Sequence, residues 1–539
     1  MSRLLAALAW LGALALLHVA SLAPLPFAGG DVAAVLARWS PDLAALLALA
    51  VLGAALGRPR WFAHAAAALL LVGALHRTAA FYVQLLLERR LDLRFDLQEL
   101  PGVVHLLTHD AWPVWAVAAV AVVVLVAVQL LLAWAFARVA APARRGRGAL
   151  WLAFALQATV AVAVLRGSAD SAAPSPWHRS ALLALADDLH AAVRYWRDPH
   201  AFDDPIRADI GVAAAALAAA PTDLGRLEGA DLHVLFVESY GRFAHRSPAV
   251  LEPLRALWRE AGPSLQAAGI AVCTAICAPS NTGGESWLAH AQLLTGARIG
   301  SRRAWQLLLE SPLQPLPHRF RQAGYRTVEV MPAMPRHWPE GARFYGFDEA
   351  VTQLELGYRG TRYHWGLMPD QFALHHLLRQ VVEPATQPLF TMYVSVTSHA
   401  PFTRVPPYVA DWRIDADTFA GPPRTEHPVT WFDVPNGPRL PAAYADTIEY
   451  SMRCVLGFVE RLPRPSIVVV LGDHQPPLAG VADDPATAFH VPIHVITNRP
   501  QLLDPVRAIG FVDGWEAPAD AGVFSTVDFA ARLLQLYAR

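Results

Sequence analysis

The first part of this chain is so apolar that much of it can fold only in a membrane. Up to about Val164 the sequence is dominated by Ala, Leu and Val, whereas after about Ala201 it has the Trp, His, Pro and Asp content of an ordinary globular domain. A helix that spans a bilayer needs ~20 mostly apolar residues. The sequence predicts five such spans, at about Leu4–Leu22, Leu43–Leu56, Phe62–Leu87, Val114–Phe136 and Ala149–Val164.

The placement of arginines predicts the orientation of these spans. Arginines lie before the first span, between the second and third, and between the fourth and fifth, at Arg3, Arg58, Arg60, Arg138, Arg144, Arg145 and Arg147. The positive-inside rule makes these connections cytoplasmic, so everything after Gly167 is expected outside. The first span resembles a signal peptide, but four further spans follow it, which indicates an uncleaved anchor. We therefore expect a transmembrane domain over residues 1–167, juxtamembrane linker helices over 168–228 and an outer domain over 229–539.

The third predicted span carries two ionisable residues, His76 and Arg77, shortly before Phe81 and Tyr82. Ionisable groups inside a bilayer are costly and face a cavity or another helix. We interpret the pair either as a functional site within the membrane or as a contact with a neighbouring helix.

Charge and cysteine content argue against a nucleic-acid-binding protein and against a small disulfide-rich protein. The chain has 44 basic residues, all of them Arg, and 45 acidic ones, and its net charge of −1 gives no global field that favours nucleic acid as a partner. The three cysteines, Cys273, Cys277 and Cys454, are too few for a disulfide scaffold. Cys273 and Cys277 could pair, but free buried thiols are the preferred interpretation.

Short apolar runs alternate with amphipathic segments in the outer domain, which predicts an α/β sheet with helices on both faces. The predicted strands are His233–Val237, Ile270–Thr274, Thr327–Met331, Leu389–Thr397, Ile467–Leu471 and His494–Ile496. In such folds the chemistry gathers at the carboxyl ends of the strands. Glu238, His399 and the pair Asp473-His474 follow three of these strand ends.

A glycine-rich turn precedes a predicted helix at Ser286–Leu294. Glycines let the backbone approach a phosphoryl group, and the N-terminus of a helix attracts an anion, so Ser286 is the predicted nucleophile. Thr282 is the rival hydroxyl, but its gap to the Leu294-Thr295-Gly296 segment is too long. The structural alternative is a glycine-rich turn in which Ser286 only caps the helix.

Two carboxylates and one imidazole, from Glu238, Asp473 and His474, complete this chemistry. A bound divalent ion acidifies a coordinated hydroxyl, which would activate Ser286. Mixed carboxylate and imidazole ligands suit Mn, Zn or Mg, and the imidazole disfavours Ca. We expect these three residues and Ser286 to share one ion. The alternative is that Asp473 and His474 form a turn with a helix cap.

Several motifs follow one another in the outer domain. They are Phe236-Val237-Glu238-Ser239, Gly283-Gly284-Glu285-Ser286 with Leu294-Thr295-Gly296, Ser398-His399-Ala400-Pro401-Phe402, Gly472-Asp473-His474 and His490-Val491-Pro492. In this order they resemble the alkaline phosphatase/sulfatase superfamily. The resemblance is greatest to the membrane-anchored branch of lipoteichoic acid synthases and phosphoglycerol or phosphoethanolamine transferases, whose plan of five spans and an outer domain matches nearly the whole chain.

The resemblance implies a bacterial inner-membrane enzyme with an extracytoplasmic catalytic domain. It would transfer a phosphoglycerol or phosphoethanolamine headgroup from a membrane phospholipid to an envelope glycan or lipid, through a phosphorylated Ser286. His399 would bind a phosphoryl oxygen or protonate the leaving group, and a capping or core histidine is the alternative. Trp338 could stack on a headgroup or be a packed loop residue, and His490 either contacts the substrate or has no role in the site. A hydrolase, either a phosphodiesterase or a sulfatase, is the first alternative. A catalytically inactive membrane scaffold is the second, and the intact ligand set argues against it.

Two departures from the family patterns affect the chemistry. Leu288 and His290 stand where formylglycine sulfatases have Pro and Arg, so Ser286 should remain an ordinary serine. Trp338 is followed by Pro339 and Glu340, without the arginine of the synthases' Trp-x-Arg element. The headgroup or the acceptor could therefore differ from polyglycerolphosphate.

The arginine pattern predicts the location of the carboxyl terminus. A reporter enzyme that is active only outside the cytoplasm, fused after Arg539, should be active in intact cells. Activity of a cytoplasm-specific reporter at the same position would contradict the predicted orientation.

Overall fold

The structure is a computed structural model. It describes residues 2–24, 32–87, 89–99, 113–144, 148, 155–157, 159, 179–279, 285–363, 368–430, 433–434, 437–478, 481, 489–518 and 523–539. The chain forms two compact units, one of residues 1–85 and 89–199 and the other of residues 86–88 and 200–539. Each unit has its own hydrophobic core.

The first unit is helical. Its α-helices are Ser2–Leu22, Val32–Leu36, Pro41–Ala55, Pro59–Leu87, Val114–Ala140 and Ala181–Arg197, with 3₁₀ turns at Asp96–Glu99 and Ala141–Arg144. Among the described residues, three segments are long and apolar enough to cross a membrane, at Leu5–Leu22, Pro59–Gln84 and Trp115–Ala140. They correspond to the first, third and fourth predicted spans.

The other two predicted spans have different outcomes. The second coincides with the helix Pro41–Ala55, which has only 15 residues. The fifth, Ala149–Val164, lies almost entirely outside the described residues. The first unit is therefore helical, with three helices that could cross a membrane among its described residues, whereas the five spans stay a prediction.

A buried carboxylate connects three helices of the first unit. Asp42 in the helix Pro41–Ala55 accepts hydrogen bonds from the Ser180 hydroxyl and, at 2.7 Å, from the backbone N–H of Ala181. Arg77 donates to the same carboxylate over 3.3 Å and also to the Ser21 carbonyl. Asp42 thus holds the start of the helix Ala181–Arg197, since a charged acceptor satisfies N–H groups that have no partner within a helix.

His76 provides a second attachment for the same helix, because its Nε2 lies 2.7 Å from Oδ2 of Asp188. His76 and Arg77 therefore contact a neighbouring helix, which is the second of the two interpretations given above. Among the described residues, Arg77 also donates to the Arg179 carbonyl at 3.3 Å.

The second unit is built on one mixed sheet. Its strands, in chain order, are β1 (Asp231–Val237), β2 (Ala271–Ala278), β3 (Arg326–Met331), β4 (Glu349–Thr352), β5 (Leu389–Val394), β8 (Ser466–Gly472), β9 (Val491–Thr497), β10 (Val512–Asp513) and β11 (Val523–Ser525). The order across the sheet is β10-β2-β9-β8-β1-β5-β3-β4, with β11 beside β2. Strands β8, β1, β5, β3 and β4 run parallel, and β9 is antiparallel to both β8 and β2. A separate hairpin pairs β6 (Arg404–Val405) with β7 (Thr425–Glu426).

Helices cover both faces of this sheet. The α-helices are Pro199–Ala219, Phe243–Arg246, Pro248–Ala267, Ser286–Thr295, Arg302–Leu309, Leu316–Gln322, Pro339–Tyr345, Gln353–Leu356, Asp370–His376, Leu440–Val459, Asp504–Arg507 and Phe529–Tyr537. A π-helical turn at Leu377–Val382 continues Asp370–His376, and 3₁₀ turns lie at Gly225–Leu227 and Pro500–Leu503. Successive residues of β1 point into two different cores: Leu235 and Val237 into one, Val234 and Phe236 into the other. This arrangement confirms the predicted α/β fold.

All six predicted strands are present, but one ends earlier than predicted. Leu389–Thr397 was expected as a strand, whereas β5 stops at Val394. The buried carboxylate of Asp370 causes the break, because its Oδ1 accepts the backbone N–H groups of Val396 at 2.7 Å and Thr397 at 3.2 Å. These N–H groups are bound to a side chain and cannot pair with a neighbouring strand.

The hydrogen bond between His76 and Asp188 predicts how firmly the helix Ala181–Arg197 is attached. Asp188→Asn should lower the free energy that holds this helix in place by about 1.5–3 kcal/mol, the usual contribution of a hydrogen bond to a charged group. Tryptic cleavage after Arg194 in detergent-solubilised protein should then become at least several-fold faster, because cleavage follows the population of the opened helix. The exposed neighbour Asp187 is the control: Asp187→Asn should leave the cleavage rate unchanged. Equal rates for the two variants would contradict this attachment.

Candidate active site and metal centre

Two parallel neighbouring strands deliver the first ligands. β1 and β8 pair in a register that sets Val237 opposite Gly472, so the residues that follow them, Glu238 and Asp473, leave the sheet side by side. His474 comes next in the chain. Ligand atoms of these three buried residues all lie within 4.8 Å of one another. The structure thus brings the predicted metal ligands together at the carboxyl edge of the sheet.

Close packing of the two strand ends allows this approach. A Cβ atom on Gly472 would lie 1.9 Å from the carbonyl oxygen of Tyr240, so only glycine fits at this position. The turn after β1 is also fixed, because Ser239 adopts a left-handed conformation with φ of 58° and its carbonyl accepts the Tyr444 hydroxyl at 2.8 Å. Ser398 anchors the same turn by donating to the Glu238 carbonyl at 2.6 Å.

The two oxygens of Asp473 have different environments. Oδ1 accepts the backbone N–H groups of Ser239 and His474, each at 2.8 Å. Oδ2 is buried and has no hydrogen-bond partner among the described residues. A buried carboxylate oxygen without a donor is costly. A cation that binds Oδ2 would remove this cost.

The hydrogen bond at Nδ1 determines which nitrogen of His474 can bind a metal. Nδ1 lies 2.7 Å from the carbonyl of Gln475, and since a carbonyl only accepts, Nδ1 carries the proton. In the neutral ring Nε2 then has the lone pair, which is the arrangement found in metal-bound histidines. Nε2 lies 3.3 Å from Oε1 of Glu238 and 3.7 Å from Oδ2 of Asp473.

The electrostatics also fit a cation at this position. Burial raises the pKa of the Asp473 carboxyl, and the nearby Glu238 carboxylate raises it further. Burial opposes ionisation of Glu238 too, but the charge of His474 holds the Glu238 pKa below its ordinary value. Burial disfavours the imidazolium of His474, yet the charges of Asp473 and Glu238 raise its pKa. Without an ion the cluster must take up protons, and a divalent cation can replace them. Glu238, Asp473 and His474 would hold such an ion, and Mn, Zn or Mg suits this donor set.

Ser286 lies at the same point. It begins the helix Ser286–Thr295, and its Oγ donates to Oε2 of Glu238 at 3.1 Å and lies 3.2 Å from Nε2 of His474. Glu285 precedes it with a left-handed φ of 49°, a strained conformation of the kind that clusters at functional sites. The glycines and the rival Thr282 lie outside the described residues.

The other predicted site residues are His399, His490 and Trp338. His399 is half-buried after β5 and directly follows Ser398, whose hydroxyl donates to the Glu238 carbonyl. Its Nδ1 donates to the Ala400 carbonyl at 2.7 Å. His490 precedes β9, and its Nδ1 lies 3.2 Å from the Arg242 guanidinium. Trp338 is stacked on Trp305, with ring centroids 5.1 Å apart.

Sequence reasoning missed two residues that support this centre. Gln475 donates to the His490 carbonyl at 2.6 Å and accepts the backbone N–H of Phe243 at 3.2 Å, which ties the His474 segment to β9 and to the turn after β1. Arg242 donates its backbone N–H to the His490 carbonyl at 2.9 Å. The sequence did contain a signal for both residues. Gln475 directly follows Asp473-His474, and Arg242 comes four residues after Glu238.

Comparison with family models supports this assignment. The model described as Sulfatase matches residues 273–537, which include Ser286, His399, Asp473 and His474. Residues 273–537 form a sulfatase-family domain. β1 and Glu238 precede the matched segment but belong to the same sheet. For residues 273–537, the predicted resemblance to the alkaline phosphatase/sulfatase superfamily is thereby confirmed.

Several solved structures are similar to part of this chain. The lipoteichoic acid synthase LtaP from Listeria monocytogenes is 13% identical, with a TM-score of 0.38 over 58% of this chain and 72% of that one. The phosphoglycerol transferase GacH from Streptococcus pyogenes is 14% identical, with a TM-score of 0.37 over 62% and 80%. The periplasmic domain of the phosphoethanolamine transferase EptC from Campylobacter jejuni is 10% identical, with a TM-score of 0.33 over 56% and 86%. Comparison with curated protein sequences gives no match.

The ligand set predicts the effect of removing one carboxylate. Glu238→Gln keeps the size of the side chain but removes its charge, and it should weaken binding of Mn or Zn by more than about tenfold, since losing even an outer partner of a ligand costs 10–100-fold. Metal content after gel filtration measures this loss. Glu449→Gln, which breaks an ion pair with Arg453 instead, is the control and should retain full occupancy. Unchanged metal content in Glu238→Gln would exclude Glu238 as a ligand.

Proposed function

We propose that this protein transfers a phospholipid headgroup, of phosphoglycerol or phosphoethanolamine type, to an envelope glycan or lipid through a covalent phospho-Ser286. One observation carries the proposal: the Ser286 hydroxyl lies within 3.2 Å of both a carboxylate and an imidazole of the candidate metal centre. A scaffold would have no use for a hydroxyl at that point, whereas a phosphoryl acceptor needs it there.

The first half-reaction moves the phosphoryl group onto the enzyme. A divalent ion, when bound, would stabilise the alkoxide and the phosphoryl charge. The Ser286 Oγ–P bond forms while the P–O bond to diacylglycerol breaks, and the Ser286 proton passes to Oε2 of Glu238, its hydrogen-bond acceptor. His399 gives a proton to the departing diacylglycerol oxygen. Since Nδ1 of His399 is held by the Ala400 carbonyl, the proton comes from Nε2.

The second half-reaction reverses these movements. The acceptor hydroxyl gives its proton to Nε2 of His399 as its oxygen attacks phosphorus and the Oγ–P bond breaks. Oε2 of Glu238 returns the proton to Ser286. The enzyme is thus regenerated with His399 protonated, and no further reactant is needed.

The membrane anchor supports a lipid donor. Three helices of the described part of the chain are long and apolar enough to cross a membrane. Tethering a catalytic domain to the surface that contains its substrate raises the effective concentration of that substrate. We place the protein in the bacterial inner membrane, with the sulfatase-family domain on the extracytoplasmic side.

A hydrolase is the second candidate, because the matching family model is described as Sulfatase. In that case water would take the place of the acceptor hydroxyl in the second half-reaction. The formylglycine version of this chemistry is disfavoured, since Leu288 and His290 replace its recognition residues and both are buried. Product analysis distinguishes the two: a transferase requires an added acceptor for sustained turnover.

The covalent intermediate gives the sharpest test. With a phospholipid labelled in its headgroup, mass spectrometry should locate the label on the peptide that contains Ser286. Ser286→Ala should abolish both label and transfer, and Ser286→Thr should keep partial activity because the hydroxyl remains. Thr282→Ala is the control and should retain most activity. Label on Thr282, or normal transfer by Ser286→Ala, would overturn the proposal.

A further inference from the structure

The helix Ala181–Arg197 of the first unit has an apolar side that the rest of the unit leaves uncovered. Its apolar residues recur with alternating gaps of four and three, which places them on one stripe of a helix: Leu182, Ala186, Leu189, Val193 and Trp196. Leu189, Val193 and Trp196 are between 39% and 67% exposed. Single exposed apolar residues are ordinary, but a continuous apolar stripe marks a surface that another molecule covers.

The other sides of this helix have different surroundings. Ala181 and Ala192 are buried and Asp188 binds His76, so one side packs on the rest of the unit. The exposed Arg194 and Arg197 lie in the last turn, outside the apolar stripe. The helix thus has a packed side, an apolar side and a charged side. An apolar stripe with aromatic and aliphatic residues beside a basic side is typical of helices that lie in a membrane interface.

The start of this helix lies where the apolar helices of the unit end. Arg77 donates to the Ser21 carbonyl at the end of one apolar helix and to the Asp42 carboxylate at the start of another. Asp42 in turn accepts the backbone N–H of Ala181. A helix rises about 1.5 Å per residue, so Arg77 lies about 27 Å along the axis from Pro59, close to the ~30 Å thickness of a hydrocarbon core. Ala181 therefore lies at the boundary between acyl chains and headgroups.

Contacts with the span Pro59–Leu87 show the direction of the helix. A Cβ atom on Gly73 would lie 3.3 Å from Cδ2 of Leu182, and Nε2 of His76 lies 2.7 Å from Oδ2 of Asp188. Leu182 and Asp188 are about 9 Å apart along their helix, whereas Gly73 and His76 are only about 4.5 Å apart along theirs. The helix therefore crosses the span and runs along the bilayer surface instead of through it.

The apolar stripe adjoins a part of the span that faces lipid. Val72 and Leu75 are 47% and 48% exposed, in a helix that is long and apolar enough to cross a membrane. Leu182, the first residue of the stripe, packs at Gly73, between these two residues in the chain. The stripe thus begins beside an apolar surface that acyl chains already cover.

We propose that the helix Ala181–Arg197 lies in the membrane interface. Leu189, Val193 and Trp196 contact acyl chains, and Arg194 and Arg197 extend to lipid phosphates, as long basic side chains do at an interface. The molecule that covers the stripe is therefore the phospholipid bilayer. The chain leaves the first unit directly after this helix, so its exit lies at the membrane surface. This attachment is independent of the reaction at Ser286.

Lipid contact can be measured with a fluorescent label in the full-length protein, reconstituted into vesicles of phosphatidylcholine and phosphatidylglycerol. The three native cysteines are buried, so a cysteine introduced at an exposed position takes the label selectively. A label at Val193→Cys should be quenched by phospholipids with brominated acyl chains several-fold more strongly than a label at Asp187→Cys. Asp187 is exposed on the same helix but lies outside the stripe, which makes it the matched control. Leu189→Cys is a second position in the stripe and should behave like Val193→Cys.

A water-soluble quencher, iodide, completes the test. It should quench the label at Asp187→Cys more strongly than the labels at Val193→Cys and Leu189→Cys. Equal quenching by brominated lipid at the stripe and at Asp187→Cys would overturn the proposal. Shielding of both stripe positions from lipid and iodide alike would also overturn it, because a second copy of the chain or another part of the protein would then cover the stripe. All three substitutions are at exposed positions, and an unchanged gel-filtration profile checks that each variant is folded.

Discussion

The pairing of β1 with β8 places two carboxylates, Glu238 and Asp473, next to each other at a buried sheet edge. Like charges at this separation repel strongly where water cannot screen them, so the edge is stable only if a positive charge joins them. Protons on His474 and Asp473 can supply it, and so can a metal ion. Much of the surrounding structure keeps these ligands in place.

The supporting contacts restrict the carboxylates and imidazole to one arrangement. Backbone N–H groups bind Oδ1 of Asp473, whereas the buried Oδ2 has no hydrogen-bond partner among the described residues. The Gln475 carbonyl selects the tautomer of His474, and Ser398 and Tyr444 fix the turn that carries Glu238. Ser286 approaches from the helix that follows a strained Glu285. Each of these contacts removes freedom before a substrate arrives, which is how preorganised sites lower the barrier to reaction.

Some of this arrangement was predictable from the sequence and some was not. The apolar run Ile467–Leu471 and the acid and imidazole after it predicted both a strand and its chemistry, because strand periodicity and ligand type are local signals. The early end of β5 was missed, since Asp370 captures its N–H groups from a different helix. In the first unit, His76 could be interpreted in two ways until Asp188 was seen beside it.

The central claim is that Glu238, Asp473, His474 and Ser286 share one divalent ion. A crystal structure of the protein grown with manganese, with data collected at the manganese absorption edge, tests it most directly. The account predicts a single anomalous peak about 2.0–2.3 Å from Oδ2 of Asp473, Nε2 of His474, a carboxylate oxygen of Glu238 and Oγ of Ser286. A peak elsewhere, or one with Glu238 or His474 more than about twice that distance away, would contradict it.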